Sequence, residues 1–208
     1  MVRKKFYPKD IHDLENIFYN PKNAERKRRY LSYVDSKIHD DVREAEAKRI
    51  MNNFGESQKI TTTRRKTPDF KIEENKIVYE ITSIQYSERE RVTQAIKPRS
   101  KKDFIDDLNK AIQHALEKDY SDYENYQKWV IIFIDTILAV MCNYTNYAAN
   151  PSIVKETIFG NSDLSYMIIV PFPSNLSDEL AHVAYTKDVN LVKELAEELP
   201  KSFKVIAI

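Results

Sequence analysis

Two acids stand on two adjoining short runs, Asp69 in TPDFKI (67–72) and Glu80 in IVYEIT (77–82). Both runs are rich in β-branched and aromatic residues, and Glu73-Glu74-Asn75-Lys76 separates them. With Glu74-Asn75 as a two-residue loop, Glu73 pairs with Lys76, Ile72 with Ile77, Lys71 with Val78 and Phe70 with Tyr79. Asn75 would supply the left-handed backbone such a loop needs. The next pair is Asp69 with Glu80. Directly opposite residues hold their Cβ atoms about 4.5–5.5 Å apart, and like charges there repel. A hard cation resolves that repulsion, because Mg²⁺ takes carboxylate oxygens at about 2.0–2.1 Å. Without a cation, one carboxyl takes up a proton more readily. Arg64, Arg65 and Lys66 lead into this acidic pair, and a basic approach to a metal site suits a phosphodiester.

The positioning elements follow from periodicity. Residues 8–19 predict a helix that Pro21 breaks, and 23–54 predict one or two more, ended by Gly55. KITTTRR (59–65) predicts a strand. Residues 100–118 form an amphipathic helix capped by Ser100, burying Phe104, Ile105, Leu108, Ala111, Ile112 and Ala115. KWVIIFID (128–135) and YMIIVPF (166–172) read as buried strands. Residues 136–148 and 190–199 read as helices, and FKVIAI at the end as a last strand. The fold class is α/β: a mixed sheet with a three-strand meander flanked by helices.

Pro68-Asp69, ten intervening residues, then Glu80-Ile81-Thr82 resembles the PD-(D/E)XK nuclease superfamily. The resemblance implies a restriction-endonuclease-like core over 38–135, with a helical segment before it (1–37) and an α/β extension of the sheet after it (136–208). All three belong to one domain. It implies Mg²⁺ (or Mn²⁺) held by Asp69 and Glu80, and Glu46 from the preceding helix joins them, with Glu44 as the alternative. It implies hydrolysis of nucleic acid without separating DNA from RNA; DNA is the first expectation, and an RNA-directed nuclease the alternative. The superfamily's water-activating lysine falls at Thr82. A lysine from elsewhere is one way to meet that departure: Lys71 on the acidic face, or Lys97, Lys101 or Lys102 from the next helix. Gln85, Gln94 or Gln113 orienting water is a second way. A protein that binds nucleic acid without cutting it is the third.

Charge divides the chain. Residues 1–104 carry 25 basic and 17 acidic side chains, net +8, and residues 105–208 net −7. A polyanion would meet the first half. Arg64, Arg65, Lys66, Lys97, Arg99, Lys101 and Lys102 are the candidate contacts, and KNAERKRRY (22–30) a further one. IKPRSKK (96–102) precedes a helix N-terminus, which favours phosphate. The acidic half would support the fold and, since cutting two strands takes two sites, a homodimer. Two glycines, Gly55 and Gly160, are too few for a phosphate-cradling loop. The single Cys142 supports neither a disulfide nor a zinc cluster, which fits a reducing cytoplasm. No apolar run is long enough to span a membrane. The four histidines lack metal-ligand spacing, and His114 reads as a structural or surface residue.

Overall fold

A computed structural model describes residues 10–37, 40–61, 66–85, 97–172 and 180–208. Its centre is a mixed sheet of seven strands in chain order, β1 to β7. The strands are Gln58–Lys59 (β1), Phe70–Ile72 (β2), Ile77–Ile84 (β3), Gln127–Asp135 (β4), Tyr166–Phe172 (β5), His182–Thr186 (β6) and Phe203–Ala207 (β7). β1, β2 and β3 form an antiparallel meander. β4 then lies parallel to β3, and β5 parallel to β4. β6 runs antiparallel to β5, and β7 parallel to β6.

The hairpin keeps the expected register, with Phe70 opposite Tyr79, Lys71 opposite Val78 and Ile72 opposite Ile77. Its turn differs in one respect: the left-handed residue is Lys76 (φ 50°), not Asn75. Asn75 instead donates its side-chain amide to the Phe54 carbonyl at 2.7 Å. The strand expected over 59–65 is shorter than its β-branched composition suggests. β1 comprises only Gln58 and Lys59, and residues 62–65 lie outside the described residues.

Parallel neighbours need a crossover, and helix α4 (Lys101–Leu116) supplies it between β3 and β4. Ser100 caps it, with Asp103 reciprocating in a full capping box. Phe104, Leu108, Ala111, Ile112 and Ala115 are buried against Val130, Ile132 and Ile134 of β4. Three earlier helices precede the meander: α1 (Ile11–Tyr19), α2 (Ala24–Lys37) and α3 (Asp40–Met51). Leu14 of α1 and Tyr30 of α2 join α4's side of the sheet. Ala47, Ile50 and Met51 of α3 cover the opposite face, over Phe70, Tyr79, Trp129 and Phe133. A short 3₁₀ turn, Asn52–Phe54, follows α3 and stops at Gly55. Gly55 has φ +119°, and a Cβ there would stand 2.8 Å from Ile72 Cγ2, so only glycine passes so close to the hairpin.

The helix expected over 136–148 is two, α5 (Thr136–Met141) and α6 (Tyr144–Ala148). Asn143, left-handed at φ 60°, separates them. The short α7 (Pro151–Val154) follows, and α8 (Val192–Glu198) packs Leu195 with α3's side of the core. HVAYT of β6 is a strand that sequence periodicity did not single out. It is buried throughout, so no polar alternation marks it. Among the described residues no helix is long and apolar enough to cross a membrane.

Candidate functional site

On β3, Val78, Glu80, Thr82 and Ile84 share the face that α4 covers, because strand side chains alternate. Glu80 pairs in register with Val130, a core residue of that face. It therefore occupies a position where the core otherwise takes an aliphatic side chain, and it is 1% exposed. A buried charge requires partners. Lys118 supplies its ammonium to Glu80 Oε1 at 2.8 Å, and His114 Nε2 stands 3.3 Å from the same oxygen. Glu80 Oε2, equally buried, receives no N–H or O–H donor; its neighbour is the Asp69 carboxyl, which it meets in a hydrogen bond when the pair holds a proton.

Asp69 ends the loop into β2, and one more step of the ladder beyond Phe70–Tyr79 faces it with Glu80. Its Oδ2 accepts the Ile81 backbone N–H at 2.9 Å, which fixes the carboxylate against β3. The two acids interact. Burial first, then the charge of Asp69, pushes the Glu80 carboxyl up to about 8, and Lys118 offsets only part of this. The pair thus holds a proton that two isolated carboxylates would shed at neutral pH.

Around the pair lies a cleft of about 220 Å³ walled by Arg43, Glu44, Asp69, Glu80, Ile81, His114 and Lys118. Arg43 and Glu44 come from α3, His114 from the last turn of α4 and Lys118 from just beyond it. The short β2 leaves this part of the sheet open to both layers. Glu44 is tied to Lys59, whose Nζ lies 2.7 and 2.9 Å from its two oxygens. The Arg43 guanidinium donates to Ser83 Oγ. After α4 the chain turns back, and the Asp119 N–H donates to the Lys66 carbonyl at 2.7 Å. That bond stitches Lys118 to the strand entering at Asp69.

Of the site residues expected from the sequence, Asp69 and Glu80 come together in this cleft. Glu46 does not line it; both its oxygens are taken by the Arg49 guanidinium at 2.7 and 2.9 Å. The acid that α3 does bring to the cleft is Glu44. Thr82 is half-buried opposite Ile132 and contributes no wall. Lys71 does not turn to the acids. It pairs with Glu73 at the hairpin tip and, with Tyr126 and Lys76, holds the Glu73 carboxyl down to about 2.

Lys97, Arg99, Lys101 and Lys102 stand at the wrong end of α4 to reach in. Seventeen residues separate Lys101 from Lys118, about 25 Å along a helix. Arg99 lies 3.4 Å from Asp107, and Lys101 lies 2.8 Å from Glu156. Lys66 and Gln113 are exposed, and neither lines the cleft. Gln85 donates to Ser83 Oγ at 3.0 Å. Arg64, Arg65 and Gln94 lie outside the described residues. In the basic run 22–30, Arg26 pairs with Asp13, and Arg28 and Arg29 pair with Glu25, so much of its charge is met within the chain.

Lys118 is the residue that sequence reasoning passed over, and His114, read there as structural or surface, stands on the cleft wall beside Glu80. A signal existed. The buried row Phe104, Leu108, Ala111, Ala115 steps by four, three and four, and the next step of three lands on Lys118. A lysine that continues the buried stripe of α4 just past its end and a glutamate at a core position of β3 imply each other.

Among the described residues no group of three or more His, Cys, Asp or Glu side chains is arranged to hold a metal. Mg²⁺ needs only one or two carboxylates when water and substrate phosphate complete its shell. Asp69 with Glu80 Oε2, which receives no N–H or O–H donor, is such a pair, in an open cleft. No family model, curated protein or solved structure matches this chain.

Proposed function

We propose that the protein is a Mg²⁺-dependent phosphodiesterase of the nuclease type, acting on DNA, with Asp69 and Glu80 as metal ligands. The observation that carries this reading is the buried Glu80, one oxygen held by Lys118 and the other beside Asp69. The order helix, meander, helix, parallel strand supports it, since the PD-(D/E)XK resemblance implies that order around its acids. A Mg²⁺ bound there would polarise the scissile phosphate and lower the pKa of an attacking water. The chain's own groups divide the remaining work. The Ile81 N–H orients Asp69, and Lys118 orients Glu80 and brings an ammonium into the cleft, the charge that Thr82 lacks. Arg43 adds a guanidinium on the α3 wall, suited to phosphate oxygens.

Cleavage of supercoiled plasmid and of labelled duplex and branched oligonucleotides, in Mg²⁺ and in Mn²⁺, tests the proposal. Loss of cutting in Asp69→Asn and Glu80→Gln is expected. Equal cutting by parent and variants would refute it. Thr82 and the absence of a third ligating acid among the described residues favour a second reading, a nucleic-acid-binding protein that does not cut. Salt-dependent binding with no cleavage under any metal would select it. A parallel RNA substrate separates a DNA-directed from an RNA-directed enzyme.

A further inference from the structure

A second cavity, sharing no wall residue with the acidic cleft, opens where β3, β4 and β5 begin, under α8. Its volume is about 170 Å³. That is enough for a molecule of about six heavy atoms, since an apolar cavity of about 150 Å³ holds benzene. Three aromatic rings form its inner walls. Phe54 meets Trp129 edge-on at 5.1 Å, and Tyr166 lies 4.2 Å from Trp129. The walls are held in place: Trp129 Nε1 donates to Gln127 Oε1 at 3.3 Å, and Asn53 donates to the Glu198 carbonyl at 2.6 Å.

Glu194 and Glu198, one turn apart on α8, close the cavity on the other side. Among the described residues, the cavity wall contains no lysine, arginine or histidine. Among the same residues neither glutamate has an ion-pair partner, whereas their neighbour Glu197 pairs with Lys193. The field of Glu194 reaches inside: burial, with Glu194 and Asp188 adding to it, pushes the Tyr166 hydroxyl up to about 12. An aromatic lining and an uncompensated pair of carboxylates attract the same kind of ligand, a cation with an apolar stem. Anionic and plain apolar ligands satisfy only half of this wall.

We infer that this cavity is a binding site for a small organic cation, a primary alkylammonium with a stem of a few carbons, held between Trp129 and the Glu194–Glu198 edge. Trp129 is the chain's only tryptophan, so its emission and its single indole N–H resonance report on this wall alone. The full chain would be titrated with n-butylammonium chloride, and with sodium butyrate and 1-butanol at matched ionic strength. A saturable shift of the Trp129 signals is expected with butylammonium, a weaker one with butanol and none with butyrate. A Glu194→Gln/Glu198→Gln double variant removes both charges from the cavity edge and leaves the aromatic walls intact. It should bind butylammonium about tenfold more weakly, the loss of two charge attractions partly screened by water. The inference is overturned if butylammonium gives no saturable shift, if butanol binds as tightly, or if the double variant binds like the parent. None of these outcomes bears on cleavage at Asp69 and Glu80, so the two readings stand or fall separately.

Discussion

Replacing Glu80 by glutamine in the metal-free protein should change how stability depends on pH more than it changes stability at any one pH. Burial and Asp69 raise the Glu80 carboxyl from its ordinary 4.5 to about 8 in the folded chain. Between those values the folded state holds a proton that the unfolded state has lost. Stability therefore falls as pH rises through this window, by up to about 1.4 kcal/mol per pH unit. Below about 4.5 both states are protonated and above about 8 both are ionised, so the profile flattens at each end. Across the window the fall is on the order of 3–5 kcal/mol, a large share of a typical domain's stability. The glutamine in the Glu80→Gln variant has no proton to lose, so this component vanishes while the side chain still accepts from Lys118. The assay is urea unfolding of parent and Glu80→Gln in EDTA at one-unit steps from pH 5 to 9. The difference between the two should grow in the variant's favour up to about pH 8 and then level off. Parallel profiles would refute the upward shift of the Glu80 carboxyl that burial and Asp69 together produce. Adding Mg²⁺ at pH 8 should narrow the gap: at one hundred times Kd it stabilises the parent by about 2.7 kcal/mol and leaves the variant unchanged.

Lys118→Met removes the cation that lowers the Glu80 carboxyl, so its pKa should rise further, read by the same unfolding profiles shifted toward higher pH. The same variant should lower cleavage in Mg²⁺ by about 100-fold or more if the ammonium acts on the reacting groups. Gly55→Ala places a Cβ 2.6 Å from Glu74 Oε2 and 2.8 Å from Ile72 Cγ2 at a φ of +119°, and should cost about 1–3 kcal/mol by urea titration. Ser100→Ala opens the capping box of α4 and should cost about 1 kcal/mol, with faster amide exchange in residues 101–104.

Much of the frame was legible because local rules act over a few residues. Ser100 with Asp103, the stripe from Phe104 to Ala115, and the apolar runs of β4 and β5 each announce an element within one window. The hairpin register followed from a two-residue loop and brought Asp69 toward Glu80 before any coordinates. β6 escaped because a strand buried on both faces carries no alternation, and the break at Asn143 because an apolar stretch hides a single left-handed residue.

What the sequence determined by itself is the pair: two acids at the fifth ladder position from a two-residue turn, a spacing set by strand geometry alone. What the tertiary structure decided is everything that surrounds them. Which acid of α3 faces the cleft depends on how that helix is rotated against the sheet, and the rotation turns Glu44 in and leaves Glu46 with Arg49. Which lysine meets Glu80 depends on the direction of α4. Its crossover carries residues 97–102 away from the acids and delivers Lys118, thirty-eight positions further along the chain, to Glu80 Oε1. Contacts across such separations are fixed by packing of whole elements, which no short stretch of sequence encodes.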